Sequence, residues 1–222
     1  MFRRIVIVMG VLIAAATTST SAQSGKVEVG GNLGWVFSDG VSGQPILAGD
    51  GNLYDRVDPK DSALFGFNVG VLVTDQVELG FLYGLQKSKL EIDGTNQREV
   101  GDFSITGYHG YIAYNFGEAD APLRPFFLFG LGATNFGSID VDIAGAPRTI
   151  AGETQFSTTI AGGLKYFFNP HVAAKFTARL TPTYIKTDPG GWWCDPYWGC
   201  YTVADAKYAN QFQFNGGLTI RF

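Results

Sequence analysis

The sequence predicts an all-β fold, an eight-stranded antiparallel up-and-down transmembrane β-barrel, and three observations carry the prediction. Eight stretches alternate apolar with small or polar residues, the period of a strand whose two faces meet different media. Aromatic residues and glycine are both abundant, with 18 Phe, 10 Tyr and 30 Gly in 222 residues, whereas each interior Gly costs a helix about 1 kcal/mol relative to Ala. The connections are alternately long and short, as in a barrel with elaborate loops at one mouth and tight turns at the other. Beyond the N-terminus no stretch approaches the roughly 18–20 continuous apolar residues of a membrane helix.

The N-terminus explains itself separately. Arg3 and Arg4 precede an apolar run from Ile5 to Ala16, and Thr20-Ser21-Ala22 supplies the small residues of a cleavage site. Together they read as a secretory signal peptide over residues 1–22, leaving 23–222 as the barrel domain. The chain is therefore exported, with a mild net charge of -4.

The first strand sets Val27, Val29, Gly31, Leu33, Trp35 and Phe37 against Glu28, Gly30, Asn32, Gly34, Val36 and Ser38. Residues 39–61, rich in Gly, Pro and Asp, read as a long polar loop. The second strand places Phe65, Phe67, Val69, Val71 and Val73 on one face, and Thr74-Asp75-Gln76 makes a tight turn. The third opposes Val77, Leu79, Phe81, Tyr83 and Leu85 to Glu78, Gly80, Leu82, Gly84 and Gln86, followed by a polar loop over 93–102. The fourth runs from about Phe103 to Phe116 with aromatics on both faces, Tyr108 and Tyr114 against Tyr111.

After a turn over 117–125, the fifth strand opposes Phe127, Phe129, Leu131 and Ala133 to Leu128, Gly130, Gly132 and Thr134. A loop over 139–153 leads to the sixth, with Phe156, Thr158, Ile160, Gly162, Leu164, Tyr166 and Phe168 on its apolar side. Asn169-Pro170-His171 is a turn with Pro pre-setting the backbone angle. The seventh carries Val172, Ala174, Phe176, Ala178 and Leu180 against Ala173, Lys175, Thr177, Arg179 and Thr181. Pro182 cannot donate to a ladder, so regular pairing is expected to stop there. A loop over 187–208 precedes the eighth strand, whose apolar face is Phe212, Phe214, Leu218, Ile220 and Phe222.

Aromatics recur at one end of the strands, in Tyr114-Asn115-Phe116, Phe126-Phe127, Tyr166-Phe167-Phe168 and Phe222, as a membrane-interface girdle requires. A soluble eight-stranded barrel would turn its apolar face inward and charge its outer one. Here the second face is mainly Gly, Ser, Thr, Asn and Gln, poor in the charge a water-facing surface carries. Leu218-Thr219-Ile220-Arg221-Phe222, Phe129-Gly130-Leu131-Gly132-Ala133-Thr134 and Gly162-Gly163-Leu164-Lys165-Tyr166-Phe167-Phe168 make the chain resemble the eight-stranded outer-membrane β-barrel family that includes the OmpA transmembrane domain and opacity-type proteins. The resemblance spans the whole mature chain and implies a Gram-negative outer-membrane location. It also implies contact with outer-membrane lipids and insertion by the outer-membrane assembly machinery, which would recognise Leu218, Ile220 and Phe222.

A Lys or Arg on the lipid face near the midplane costs about 2–4 kcal/mol, so the basic residues of the sixth and seventh strands belong in the lumen. Glu28 and Glu78 are then expected to pair with some of Lys165, Lys175 and Arg179, filling the barrel with a polar plug. A gated path for small solutes through such a network is the alternative. The only two cysteines, Cys194 and Cys200, flank a turn-like segment in an exported chain and are expected to form a disulfide. That would fix Trp192, Trp193, Tyr197, Trp198 and Tyr201 at the outer rim, either as interface anchors or as a binding loop for an extracellular ligand or host surface.

The sequence points to no enzyme, cofactor or metal. His109 and His171 stand in no Ser/His/acid pattern, which also speaks against the lipid-modifying chemistry found in some small barrels. The cysteines lack a nearby His to complete a zinc set. No strand-to-helix glycine turn suggests a nucleotide, and the basic residues are too dispersed for nucleic acid. A monomer is expected.

Overall fold

The computed structural model describes residues 26–39, 41–47, 53–94, 98–143, 146–184, 193–195, 199–201 and 208–222. They contain the strands β1 (Val27–Ser38), β2 (Val41–Leu47), β3 (Leu53–Pro59), β4 (Ser62–Leu72), β5 (Val77–Gly94), β6 (Arg98–Asn115), β7 (Leu123–Phe136), β8 (Ile139–Ile143), β9 (Ala146–Ile150), β10 (Glu153–Asn169), β11 (Val172–Tyr184), β12 (Trp193–Asp195), β13 (Gly199–Tyr201) and β14 (Tyr208–Arg221). Eight of them, β1, β4, β5, β6, β7, β10, β11 and β14, form the wall, each antiparallel to its neighbours. The wall closes where β14 pairs with β1, from Glu28↔Arg221 to Ser38↔Gln211. Closure leaves no open edge within the barrel, the condition for a sheet in hydrocarbon.

The burial pattern is that of a water-soluble protein turned inside out. Glu28, Arg124, Lys165 and Glu78 are at most 1% exposed, while Leu33, Phe168 and Phe222 are 67%, 61% and 71% exposed. Each strand's apolar set faces outward and its alternate set faces the lumen. The two-sided fourth strand resolves cleanly in β6, where Tyr108 and Tyr114 are exposed and Tyr111 is buried inside. The girdle is smaller than the sequence suggests. Phe126 is buried in the lumen, and Phe167 packs under the Arg221 guanidinium at 4.1 Å, leaving Tyr114, Phe116, Phe127, Tyr166, Phe168 and Phe222 exposed at that end.

The lumen is also less uniformly polar than expected. Leu82, Tyr111, Ala113, Phe126, Leu128 and Ala161 form a buried cluster across it. Two glycines show why small residues recur on this face. A Cβ at Gly70 would run into Glu78 Oε1, and one at Gly132 would come within 2.8 Å of the His109 Cα. At Gly70 the absent side chain makes room for a carboxylate, and at Gly132 for the neighbouring strand.

Three expectations about connections need correction. The segment 39–61 is largely a hairpin, β2–β3, and β3 pairs with the outer part of β5 from Pro59↔Leu90 to Tyr54↔Gly94. The segments 93–102 and 139–153 are likewise mostly strand, in β5–β6 and β8–β9. β5 and β6 have 18 residues each, against the roughly 9–11 that cross a bilayer. The excess rises beyond the membrane, and Gly43, Pro45, Asp55, Asp58 and Pro59 lie within β2 and β3, so residue types that signal a loop do not prevent pairing here. Pro182 does not end β11. Its pairing with β14 continues through Pro182↔Asn210 to Tyr184↔Tyr208, whereas the ladder to β10 passes from Leu180 to Thr183 without it. The missing N–H is thus accommodated where the ladder is interrupted.

Candidate functional site in the lumen

The site starts from strand alternation, which turns Glu28, Glu78, Lys165 and Arg221 inward from β1, β5, β10 and β14. Lys165 Nζ lies 2.6 Å from Glu28 Oε2 and 2.7 Å from Glu78 Oε2. Arg221 donates to Glu28 Oε1 through Nε at 2.9 Å and Nη2 at 2.7 Å. Tyr111 donates to Glu78 Oε1 at 2.5 Å, and Asn115 Nδ2 reaches Glu78 Oε2 at 3.5 Å. Each carboxylate therefore has partners for both oxygens, the arrangement that offsets the cost of taking ions out of water.

Further outward the partners are neutral. Arg179 places Nε and Nη2 on Gln213 Oε1 at 2.8 and 2.5 Å. Gln211 Nε2 donates to Gln86 Oε1 at 2.9 Å, and Gln86 Nε2 to Ser62 Oγ at 3.0 Å, tying β14 to β5 and β4. His109 Nε2 and Ser157 Oγ are 2.9 Å apart, with Thr134 Oγ1 donating to the same hydroxyl at 2.9 Å. A cavity of about 30 Å³ lies among Lys175, Arg179, Asn68, Asn215 and Thr219.

Of the residues expected in the ion-pair network, Glu28, Glu78 and Lys165 come together, and Lys175 and Arg179 do not join them. Lys175 Nζ sits over the Phe126 ring at 5.0 Å. Arg179, four residues along β11, binds Gln213. Arg221 takes the place given to them, because barrel closure sets it opposite Glu28. That role was readable from two facts together, an inward Arg ending the last strand and an inward Glu opening the first. Tyr111 and Arg124 were missed as lumen residues. A tyrosine on the polar face of the fourth strand was the signal for one; for the other, Arg124 preceded the expected start of its strand.

Leu218, Ile220 and Phe222 face outward, 59%, 46% and 71% exposed. His171 Nδ1 meets the Arg221 carbonyl at 3.0 Å in the β10–β11 turn. The signal peptide at 1–22, Trp192, Tyr197 and Trp198 lie outside the described residues, as do the side chains of Trp193, Cys194, Cys200 and Tyr201. The β12–β13 backbone sets Cys194 directly opposite Cys200.

Beyond the membrane, Glu99 receives Lys60 at 2.9 Å and Lys89 at 2.6 Å, with Lys60 also 2.9 Å from Glu91. These ammonium groups hold the Glu99 carboxyl down to about 2, and Glu99 in turn raises Lys60 and Lys89. A carboxyl depressed by folding stabilises the fold above its ordinary value of 4.5, and that contribution fades as pH falls towards 2. Its exposure keeps the contribution small. The carboxyl carbon resonance of Glu99 is expected to titrate with a midpoint near 2 in the folded barrel. A midpoint at the ordinary Glu value would show that these contacts do not persist in solution.

The family model described as an outer membrane protein beta-barrel domain matches residues 5–222. Outer membrane porin F of Pseudomonas aeruginosa is 29% identical over 176 residues, a match covering 76% of this chain and 42% of that protein. The chain thus spans about two fifths of the length of that curated relative. Among solved structures, OprG from Pseudomonas aeruginosa has a TM-score of 0.63 at 13% identity, covering 89% of this chain and 96% of that one. AlkL in lipid bilayers gives 0.56 at 15% identity, with 93% and 94% covered, and Neisserial surface protein A gives 0.53 at 15%, with 91% and 100% covered.

Proposed function

We propose that this chain, which belongs to the outer membrane protein β-barrel family and resides in the outer membrane, serves as a non-catalytic, plugged, monomeric barrel that supports the membrane and presents its outer hairpins to the surroundings. The single observation that carries this reading is the interlocked Glu28–Lys165–Glu78 and Glu28–Arg221 network, whose side chains lie across the lumen almost wholly buried. Two further features support it. The wall strands continue past the bilayer into paired hairpins, and the β12–β13 register sets Cys194 and Cys200 where a disulfide would close the aromatic loop. His109 and Ser157 are close, yet among the described residues Thr134, and no carboxylate, completes the contact. Outer-membrane lipids and the assembly machinery reading Leu218, Ile220 and Phe222 are the partners this role needs.

Binding of labelled extracellular matrix or serum proteins to whole cells tests the surface role. Deleting 192–201 is expected to reduce binding while leaving the heat-dependent gel shift of the barrel intact; unchanged binding would remove the loop from the proposal. A narrow gated channel is the second reading, favoured by the polar track of Arg179, Gln213, Gln211 and Gln86 on the outer side of the plug and by the porin named among the relatives. Recordings in planar bilayers decide it: no openings above baseline would end the channel reading, whereas stepwise openings would end the plugged one. Unaltered lipid A in a strain overproducing the protein is the expected outcome for a barrel without lipid-modifying activity.

A further inference from the structure

Lumen cations outnumber lumen carboxylates. Among the described residues the wall turns Glu28 and Glu78 inward against Arg124, Lys165, Lys175, Arg179 and Arg221. Lys165 and Arg221 have carboxylate contacts. Arg124 instead donates Nη2 to the Asp75 carbonyl at 2.5 Å and keeps Nε and Nη1 buried without an acceptor. Lys175 faces an aromatic ring and Arg179 a neutral amide. Strand register adds to the imbalance by setting Arg124, Lys165 and Lys175 directly opposite one another on β7, β10 and β11. Like charges so placed repel, and Lys165 alone of the three is met by carboxylates.

A buried ion without a counter-charge is among the costliest states a folded protein can hold. The cavity of about 30 Å³ has in its lining both Lys175 and Arg179, neither of which has an ion pair with a carboxylate among the described residues. Thr219, 1% exposed, has a hydroxyl there with no partner and free to donate. Asn32 and Asn215 line the same space with Oδ1 atoms that find no donor. A half-turn of either amide would present N–H instead, since the two ends are nearly isosteric.

We propose that this cavity is a binding site for one small monovalent inorganic anion of halide size. The cavity has room for more than one water molecule, and so for a halide ion. Water would satisfy the hydroxyl and the amides but would neutralise none of the positive charge. The anion sits beside Lys175 and Arg179, which line the same space as Phe126, and its crystallographic signal is read whether or not the barrel conducts.

Crystals of the full chain in detergent, with bromide replacing chloride and data collected at the bromine edge, test this directly. An anomalous peak is expected in the cavity lined by Lys175, Arg179 and Thr219, and it should be lost in Lys175→Met. The midpoint of heat-induced unfolding should also be higher in sodium bromide than in sodium gluconate of equal ionic strength, a difference absent in the same variant. A wild-type cavity with no anomalous density overturns the proposal even if Lys175→Met fails to fold, as does a peak that persists undiminished in the folded variant.

Discussion

Replacing Glu28 with Ala is expected to destabilise the folded barrel by about 3–5 kcal/mol, the usual consequence of removing one member of a buried ion pair. Glu28 is fully buried and accepts from both Lys165 and Arg221. The two cations do not suffer equally. Lys165 keeps Glu78 at 2.7 Å, whereas Arg221 retains only the Ala119 carbonyl at 3.4 Å and the Phe167 ring at 4.1 Å. Most of the loss therefore falls on Arg221, and the lower end of the interval is the better expectation. Urea titration in lipid vesicles, read by the mobility difference between folded and heat-unfolded protein on gels, measures it. A loss below about 1 kcal/mol, the scale of a surface pair, would mean that water reaches the network and that the plug is not dry.

The second large effect concerns the outer face. Ile160 lies on β10 between Phe129 of β7 and Leu180 of β11, 40% exposed and near mid-wall. Ile160→Arg is expected to cost about 2–4 kcal/mol, because it places a guanidinium at the depth where lipid is driest. The same substitution at Phe168, at the end of that strand, is expected to cost about 0–1 kcal/mol, since the head group can reach the interface. The contrast matters more than either value. Equal costs at both positions, measured by the same titration, would contradict the assignment of this face to lipid; in a water-soluble barrel both substitutions would be nearly neutral.

The wall was legible in the sequence because a strand with two different environments prints its period residue by residue. Eight alternating stretches became eight wall strands, and the outward sets from Val29 to Phe222 are the exposed ones. What lay beyond the membrane was harder to read. There the Gly, Pro and Asp that punctuate the sequence hide the pairing, and β2, β3, the last two residues of β5 and the first five of β6 read as polar loop. The lumen was legible in composition but not in pairing. Alternation places Lys175 and Arg179 on the inner face without fixing which side chain crosses the lumen to meet which; that depends on the register across β1 and β14 and on the tilt of the strands. Phe126 and Phe167 show the same limit, since aromatics next to a girdle can belong to the opposite face.

The contact between Glu28 and Arg221 spans 193 positions in the chain. Nearly the whole polypeptide must therefore be threaded before this pair can exist, and loop-closure entropy opposes it until the rest of the wall is in place. An open sheet of seven strands would bear its carboxylates and cations along an uncovered face and an unpaired edge, neither of which hydrocarbon tolerates. Arrival of the last strand removes both defects at once. The ion pair thus adds its stability only to the fully assembled cylinder, and a wall closed by contacts this distant in sequence is expected to fold slowly.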